Sequence, residues 1–545
     1  MKNLYDKELM KRYIGNIVLN IALLIVITIL SIIGPLLLKN AIDYSSNKVF
    51  NIRMLGTYAI MLTVFYVFKF IYNRFKFWFS EKFKNAETIN LYKKVFSVSY
   101  EKLNQMEPSY LAERVSGTVD TIFNLYCSSI TGIFISGLTM LIILIVVIGL
   151  NPVLALLYFL QIPIQYYGFQ KLLNGEKSKL SAFSYQLQTV RAKNNKDIKA
   201  VVSDVNSVKQ YSGRSGLLTF INQCISKITK LEREGNTYAM DICTILEFIT
   251  VILKNGSYIY IIYLFVNAKL TIGDLIYFNL INDIYYSSIG EVINIQINLR
   301  DLYGSMKFVT DEIGSNYEED GNITLDRVTS ITGEINKIGY HDVPLIDTGN
   351  FEFNSGDVVA LKGPSGSGKS TFAKTLNKFI KSNGIKVNGY DIRQISNHSL
   401  RSKIYYLAQN SYLLPFSIKE NITLGETYPD DRWNELIKLD FMKKFVCQKE
   451  SLDTIVYENA SNLSGGDKQK IMLGRIFLYD PDVIILDESF SAIDEETGED
   501  IINLLIKLFN DRIIIIISHS EHFLKNCNKR VIIKDKKLIT SGSCL

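Results

Sequence analysis

The 545-residue chain has little cysteine and no cysteine pattern. Its six thiols stand at 127, 224, 243, 447, 527 and 544 with no C-x-x-C pair, which excludes a disulfide scaffold and the common zinc and thioredoxin-like motifs. No internal repeat or low-complexity tract stands out. With 48% apolar against 21% charged residues, a disordered, solvating chain is excluded too. A strong charge of one sign is also missing: 60 − 54 gives +6, and the basic balance needs no nucleic acid to explain it. The most informative absence is local. Residues 121–170, 50 in all, hold not one charge, and Asn151-Pro152, a helix-stopping pair, divides them near the middle.

About 20 apolar residues cross a bilayer. The uncharged stretch therefore predicts two spans, 128–150 and 152–170, joined by a tight turn. Tyr13–Leu38 is another uncharged run, 26 residues long, too long for a signal-peptide core and without a small-residue cleavage site. Residues 54–72 are apolar except for Lys69. Two more spans are predicted at 238–265, which carries Asp241, Glu247 and Lys254, and at 273–297, which carries Asp274, Asp283 and Glu291. The loops orient the six. Segment 75–127 holds 7 Lys/Arg and segment 171–236 holds 12, against Lys39, Lys48, Arg53 and Lys269 on the other side. Nineteen against four puts both long loops, the N-terminus and everything after the sixth span in the cytosol of a multi-pass cell-membrane protein.

From about residue 318 the texture changes. Val358–Leu361, Val483–Leu486 and Ile513–Ile517 read as fully buried strands, and helical patterns follow Lys369 and Ser464. The expected fold is an all-α transmembrane domain over 1–317 with long cytosolic helical extensions, followed by an α/β domain with a helical subdomain over 318–545.

The strand at 358–361 runs into Gly363-Pro364-Ser365-Gly366-Ser367-Gly368-Lys369-Ser370, with Thr371 next. This is the G-x-x-x-x-G-K-[ST] loop in its strand–loop–helix setting. The glycines let backbone N–H groups turn toward phosphate oxygens, and the helix N-terminus adds its positive end. Lys369 is placed for the β/γ-phosphates and the Ser370 hydroxyl for Mg²⁺. Residues Val483–Glu488 form a second element: a buried strand that ends in two carboxylates, Asp487 to hold Mg²⁺ through water and Glu488 to orient the attacking water.

With Leu463-Ser464-Gly465-Gly466-Asp467 about 20 residues before that strand, the chain resembles the ATP-binding cassette family, and six spans ahead of one cassette resemble its half-transporters of exporter type. The resemblance implies ATP and Mg²⁺ as cofactors. It makes Tyr340 the aromatic that stacks on adenine, Gln409 the glutamine that reaches the metal and the attacking water, Asp494 part of the segment after Glu488, and His519 the histidine that contacts the γ-phosphate. Ser464, Gly465, Gly466 and Asp467 would close on ATP bound by a second half-transporter, in a homodimer or, alternatively, a heterodimer. Asp467 stands where the family usually has Gln, and Tyr457 and Ala460 replace usual glycines. Pro108–Gly117 and Ile198–Ala200, leading into Ser203–Ser212, resemble the two coupling elements. Twelve residues before the first span leave no room for a protease-like domain, so no leader-peptide cleavage is expected.

A charge at the bilayer centre costs roughly 2.5–3.5 kcal/mol on insertion scales. Glu247 and Lys254 are seven apart, on one helical face, and are read as a relayed pair lining a path; Asp283 and Asn294 share a face of the sixth span. The reading is an ATPase that exports an amphipathic or hydrophobic cargo (peptide, drug or lipid) by alternating access. The alternatives are an importer on the same scaffold and an ATP-gated regulator that moves no cargo. Stacking requires a flat ring, so Tyr340→Ala is expected to weaken ATP binding and Tyr340→Trp largely to restore it, measured by equilibrium titration with a fluorescent ATP analogue.

Overall fold

The computed structural model describes residues 4–46, 52–174, 179–203, 208–210, 215–340, 343–409, 412–448, 452–457 and 460–541. Two compact units form: Met1–Val98 with Lys102–Tyr317, and Ser99–Glu101 with Glu318–Leu545.

The helices before residue 318 are α1 (Leu4–Ser46), α2 (Ile52–Phe96), α3 (Tyr100–Gln105), α4 (Pro108–Asn124), α5 (Thr131–Leu150), α6 (Pro152–Asn174), α7 (Lys179–Ser203), α8 (Ser215–Val266) and α9 (Ile272–Lys307). One π-helical turn, Leu125–Ile130, joins α4 to α5 without a break. The Asn151-Pro152 turn is built as its sequence suggests. The Asn151 Oδ1 accepts the N–H groups of Val153 and Leu154, each at 3.1 Å, and caps a helix whose first residue is proline.

Each of the six predicted spans lies in these helices, the third beginning in the π-helical turn, but among the described residues only four stretches meet a strict test of length and composition: Lys11–Tyr44, Ile52–Phe96, Pro108–Leu150 and Gly216–Val266, with Pro152–Ile164 a shorter apolar helix. α9 is too polar over its length, and packing gives the three acids named above a partner each. Asp274 pairs with Lys39 of α1 at 2.6 Å, Asp283 with Lys254 of α8 at 2.7 Å, and Glu291 accepts the Ser136 hydroxyl of α5 at 3.2 Å. Of the predicted pair Glu247 and Lys254, Lys254 makes its ion pair with the neighbouring helix. Two helical turns separate these residues by about 10 Å along one axis, and the adjacent helix offers Lys254 a nearer carboxylate in Asp283. Glu247 is exposed.

Pro108–Gly117, expected to be the first coupling element, forms the first part of helix α4, after the short helix α3. Ile198–Ala200 sits within α7, and much of Ser203–Ser212 falls outside the described residues. In α4 the Arg114 guanidinium is 4% exposed. It donates to the Gly304 carbonyl at 3.0 Å and to Gln188, lies 4.8 Å from the Phe308 ring centre, and faces Glu312 at 3.9 Å. Tyr110 donates to the same Glu312 at 2.6 Å. These contacts fasten α4, α7 and the end of α9 into one bundle.

The second unit is built on a ten-stranded sheet: β1 (Ser330–Tyr340), β2 (Val343–Asn354), β3 (Val358–Lys362), β4 (Ile385–Val387), β5 (Tyr390–Asp391), β6 (Ile404–Leu407), β7 (Val483–Asp487), β8 (Ile513–Ile517), β9 (Lys529–Lys534) and β10 (Lys537–Ser541). Their order is β5-β4-β1-β2-β10-β9-β3-β8-β7-β6. The three strands read as buried, β3, β8 and β7, are adjacent and parallel, with Val358 opposite Ile514 and Val483 opposite Ile513. A parallel sheet covered on both faces requires such continuous apolar strands. One face packs Phe353, Phe372 and Leu376; the other packs Ile422, Phe445 and Ile471 of the helical subdomain.

Removing one partner of a buried ion cluster costs about 3–5 kcal/mol. Arg114→Met is expected to lower the thermal unfolding midpoint of the purified chain clearly. Lys84→Met, which removes an exposed pair with Asp120, is expected to change it little, the median for such pairs being about 0–1 kcal/mol.

Candidate nucleotide-hydrolysis site

β3 delivers the chain to the glycine-rich loop at the centre of the sheet. A Cβ on Gly363 would meet the Ile533 carbonyl and the Ser367 hydroxyl, each at 2.6 Å, so this position has no room for a side chain. Gly368, at φ +99°, caps the next helix, α10 (Lys369–Leu376), in the left-handed region that glycine adopts without strain. Lys369 is buried; its ammonium donates to the carbonyls of Gly363 and Pro364 at 2.9 and 3.0 Å. It thus folds back over the loop it would share with phosphate oxygens. The Ser367 hydroxyl is buried without a hydrogen-bond partner, an orphan that an entering phosphate would satisfy. Pro364, Ser365 and Gly366 form the exposed crest, and Ser370 and Thr371 lie in the first turn of α10.

Asp487 ends β7 and is 3% exposed. Glu488 follows with φ +50°, a conformation costly for a residue with a side chain. Two tethers hold it. Its N–H donates to the Ile517 carbonyl at 2.9 Å, and its carboxylate is shared by the Gln409 amide at 2.5 Å and His519 Nε2 at 3.2 Å. Three residues far apart in sequence, Gln409, Glu488 and His519, therefore meet beside the end of β7.

The donor set suits Mg²⁺. This ion keeps several waters and takes few protein ligands, so one hydroxyl, Ser370, and one buried carboxylate, Asp487, suffice when phosphates supply the rest. Among the described residues no group of three or more His, Cys, Asp or Glu side chains gathers to hold a metal without such help.

Ser464 caps the fifteen-residue helix α11 (Gly465–Tyr479) through a capping box. Its hydroxyl accepts the Asp467 N–H at 3.1 Å, and the Asp467 carboxylate accepts the Ser464 N–H at 3.2 Å. Cβ atoms on Gly465 and Gly466 would meet Ala492 at 2.9 and 3.2 Å, so this turn packs closely on the segment after Glu488. Asp494 caps the following helix, α12 (Glu495–Leu508), and its bond from the Thr497 N–H holds its carboxyl pKa below the usual range. Tyr340 ends β1 opposite Val343, but its side chain and that of Asn294 lie outside the described residues.

Two family models match the chain, in order: the ABC transporter transmembrane region over 17–289 and the ABC transporter model over 346–491. The chain belongs to the ABC transporter family. SunT of Bacillus subtilis (strain 168), a sublancin-168-processing and transport ATP-binding protein, is 30% identical to this transporter over 284 residues, 51% of the chain and 40% of SunT. The chain thus spans less than half the length of that relative. The ATP-binding/permease protein YgaD of the same organism is 25% identical over 548 residues, covering 93% of the chain and 90% of YgaD. A bacterial Atm1-family ABC exporter with ATP bound superimposes with a TM-score of 0.83 at 18% identity, over 98% of the chain and 95% of that structure, and so shares the fold.

Sequence reading overlooked one residue of the transporter's site. Tyr406 of β6 donates its phenolic hydroxyl to Asp487 Oδ2 at 2.7 Å. The available signal was a pair of adjacent phenols, Tyr405 and Tyr406, the second three residues before Gln409.

Glu488→Gln is expected to keep ATP binding and leave less than about a tenth of the hydrolysis rate, because only the positioning of water is lost. Lys369→Ala is expected to abolish binding itself. Phosphate release and nucleotide titration on the same samples separate the two.

Proposed function

We propose that this chain is one half of an ATP-driven exporter, working in the cell membrane with its N-terminus and ATPase domain in the cytosol. The observation that carries the ATPase reading is the meeting of Gln409, Glu488 and His519 on one carboxylate just after β7, in a chain that also carries the Gly363–Ser370 loop. ATP phosphates bind the loop N–H groups, Lys369 and the start of α10. Glu488 orients the attacking water, and Gln409 and His519 hold Glu488 in place until phosphate arrives. Ser370 and Asp487 would hold Mg²⁺, which would supply neutralising charge on the phosphates.

A second copy or a related half-transporter completes each site. Ser464 and the Gly465–Gly466 amides open a fifteen-residue helix, an anion-binding surface far in sequence from the Lys369 loop. Closing these two surfaces on one ATP requires two chains. No charge is missing from the set in this chain, which favours a homodimer over a heterodimer.

The cargo is amphipathic, with a peptide first among the classes. SunT, by its name a processing and transport protein for sublancin-168, supports this. So does the polar cluster on α8 and α9, where Lys254 and Asp283 pair and Tyr258 donates to the same carboxylate. An ion pair retained among apolar spans is costly unless it serves a path or a partner.

Composite sites are tested by mixing. With Lys369→Ala in one subunit and Ser464→Arg in the other, one site is hit twice and the other is left whole. With both changes in the same subunit, both sites are damaged. The first arrangement is expected to keep more ATPase activity, and equal activities would refute the shared site. Export is tested in inside-out vesicles, where ATP is expected to drive a labelled amphipathic peptide into the lumen; efflux from preloaded vesicles would mean import.

A further inference from the structure

We propose that Tyr406 is a positioning residue for the metal-holding carboxylate Asp487, an inference that rests on the reading of this site as a Mg²⁺-dependent ATPase. The register makes the contact possible. β6 and β7 are parallel neighbours, with Tyr406 opposite Ile485. Side chains two apart on a strand share a face, so the Tyr406 ring points to the same side as Asp487 and reaches along the strand. Its hydroxyl meets Oδ2 at 2.7 Å, and the carboxylate it meets is almost wholly buried.

The phenol is held in turn. Its ring meets that of Phe379 edge to face, with centroids 6.2 Å apart and planes at 79°. Phe379 lies just beyond α10, the helix that begins at the phosphate loop, and its N–H donates to the Lys374 carbonyl at 3.0 Å. Arg401, whose guanidinium is fixed by two bonds to Glu318 at 2.7 and 3.0 Å, covers the Phe379 ring at 5.0 Å. A further ring, Tyr100, stacks on Phe379 at 4.9 Å. Hydroxyl, ring and guanidinium therefore form a chain of fixed contacts that ends on one oxygen of Asp487.

A carboxylate at a strand end can rotate about its last bond. A donor on one oxygen fixes that rotation and aims the other oxygen, which is how a residue outside the ligand set tunes a metal site. A tyrosine that merely filled space would lose nothing on becoming phenylalanine.

The test uses the full chain in lipid nanodiscs, with Mn²⁺ as the metal probe and AMP-PNP as the nucleotide. Free Mn²⁺ is followed by electron paramagnetic resonance, and AMP-PNP binding is titrated separately in EDTA. Tyr406→Phe is expected to weaken Mn²⁺ binding to the nucleotide-loaded protein about tenfold and to leave nucleotide affinity in EDTA as in the wild type. Phe379→Leu, which frees the ring but keeps the hydroxyl, is expected to give a smaller loss in the same direction. Wild-type Mn²⁺ affinity in Tyr406→Phe would overturn the inference and leave the site reading intact. A Tyr406→Phe protein that loses metal and EDTA nucleotide binding equally would also overturn it, since the phenol would then be supporting the whole site. A wild-type protein that takes up no Mn²⁺ with AMP-PNP would overturn the site reading, and the inference with it.

Discussion

A charge removed from water has to be matched by a partner, and that constraint runs through both units of this transporter. In the membrane unit it gives every acid named in α9 a partner on a neighbouring helix: Lys39 from α1, Lys254 from α8 and Ser136 from α5. The same need builds the Arg114 cluster, where a buried guanidinium, two tyrosines and Glu312 tie α4, α7 and the end of α9 together. Matching a charge thus fixes which helices are neighbours more sharply than apolar contact does, because hydrogen bonds have direction and oil-like packing does not. In the ATPase unit, buried Asp482 accepts the Val328 N–H and is paired with Arg512, fastening the start of β7 to β8 and to the segment that leads into the sheet.

At the nucleotide site the constraint takes a catalytic form. Asp487 emerges from an apolar strand into a buried position and is matched by the Tyr406 phenol. Glu488 sits at φ +50°, a conformation costing about 1–3 kcal/mol that persists only where the surroundings over-determine it. Its N–H is committed to β8 through Ile517, and its carboxylate to Gln409 and His519. Asp467, which departs from the family's usual glutamine, fits the same logic. A capping box needs an acceptor three residues after the cap, and a carboxylate serves as well as an amide.

Much of this was legible in the sequence where chemistry is local. The Gly363–Ser370 loop, the Asn151-Pro152 turn and the three apolar strands each depend on residues within a few positions of one another. The sites of partnership were not legible in the same way. Helical spacing placed Glu247 and Lys254 on one face, but a face does not name a partner, and Asp283 of the next helix took Lys254. Composition alone makes α9 a poor candidate for a span. Its acids become tolerable only once their partners on α1, α5 and α8 are known. Tyr406 gave almost no signal, since a tyrosine in a short strand has many ordinary uses.

What the sequence determined by itself, then, is the inventory: which segments are apolar enough to leave water, where backbone must turn around phosphate, and which carboxylates follow a buried strand. Those properties follow from side chains and φ/ψ limits a few residues apart, so they are written in consecutive letters. What only the tertiary structure decided is pairing: Lys254 with Asp283, Arg114 with Glu312, Tyr406 with Asp487, and Gln409 and His519 with Glu488. Each pair joins residues that strand register or helix packing brings within 4 Å across 29 to 198 positions of chain. The strength and direction of such contacts depend on distances of tenths of an ångström, and sequence spacing carries no information on that scale.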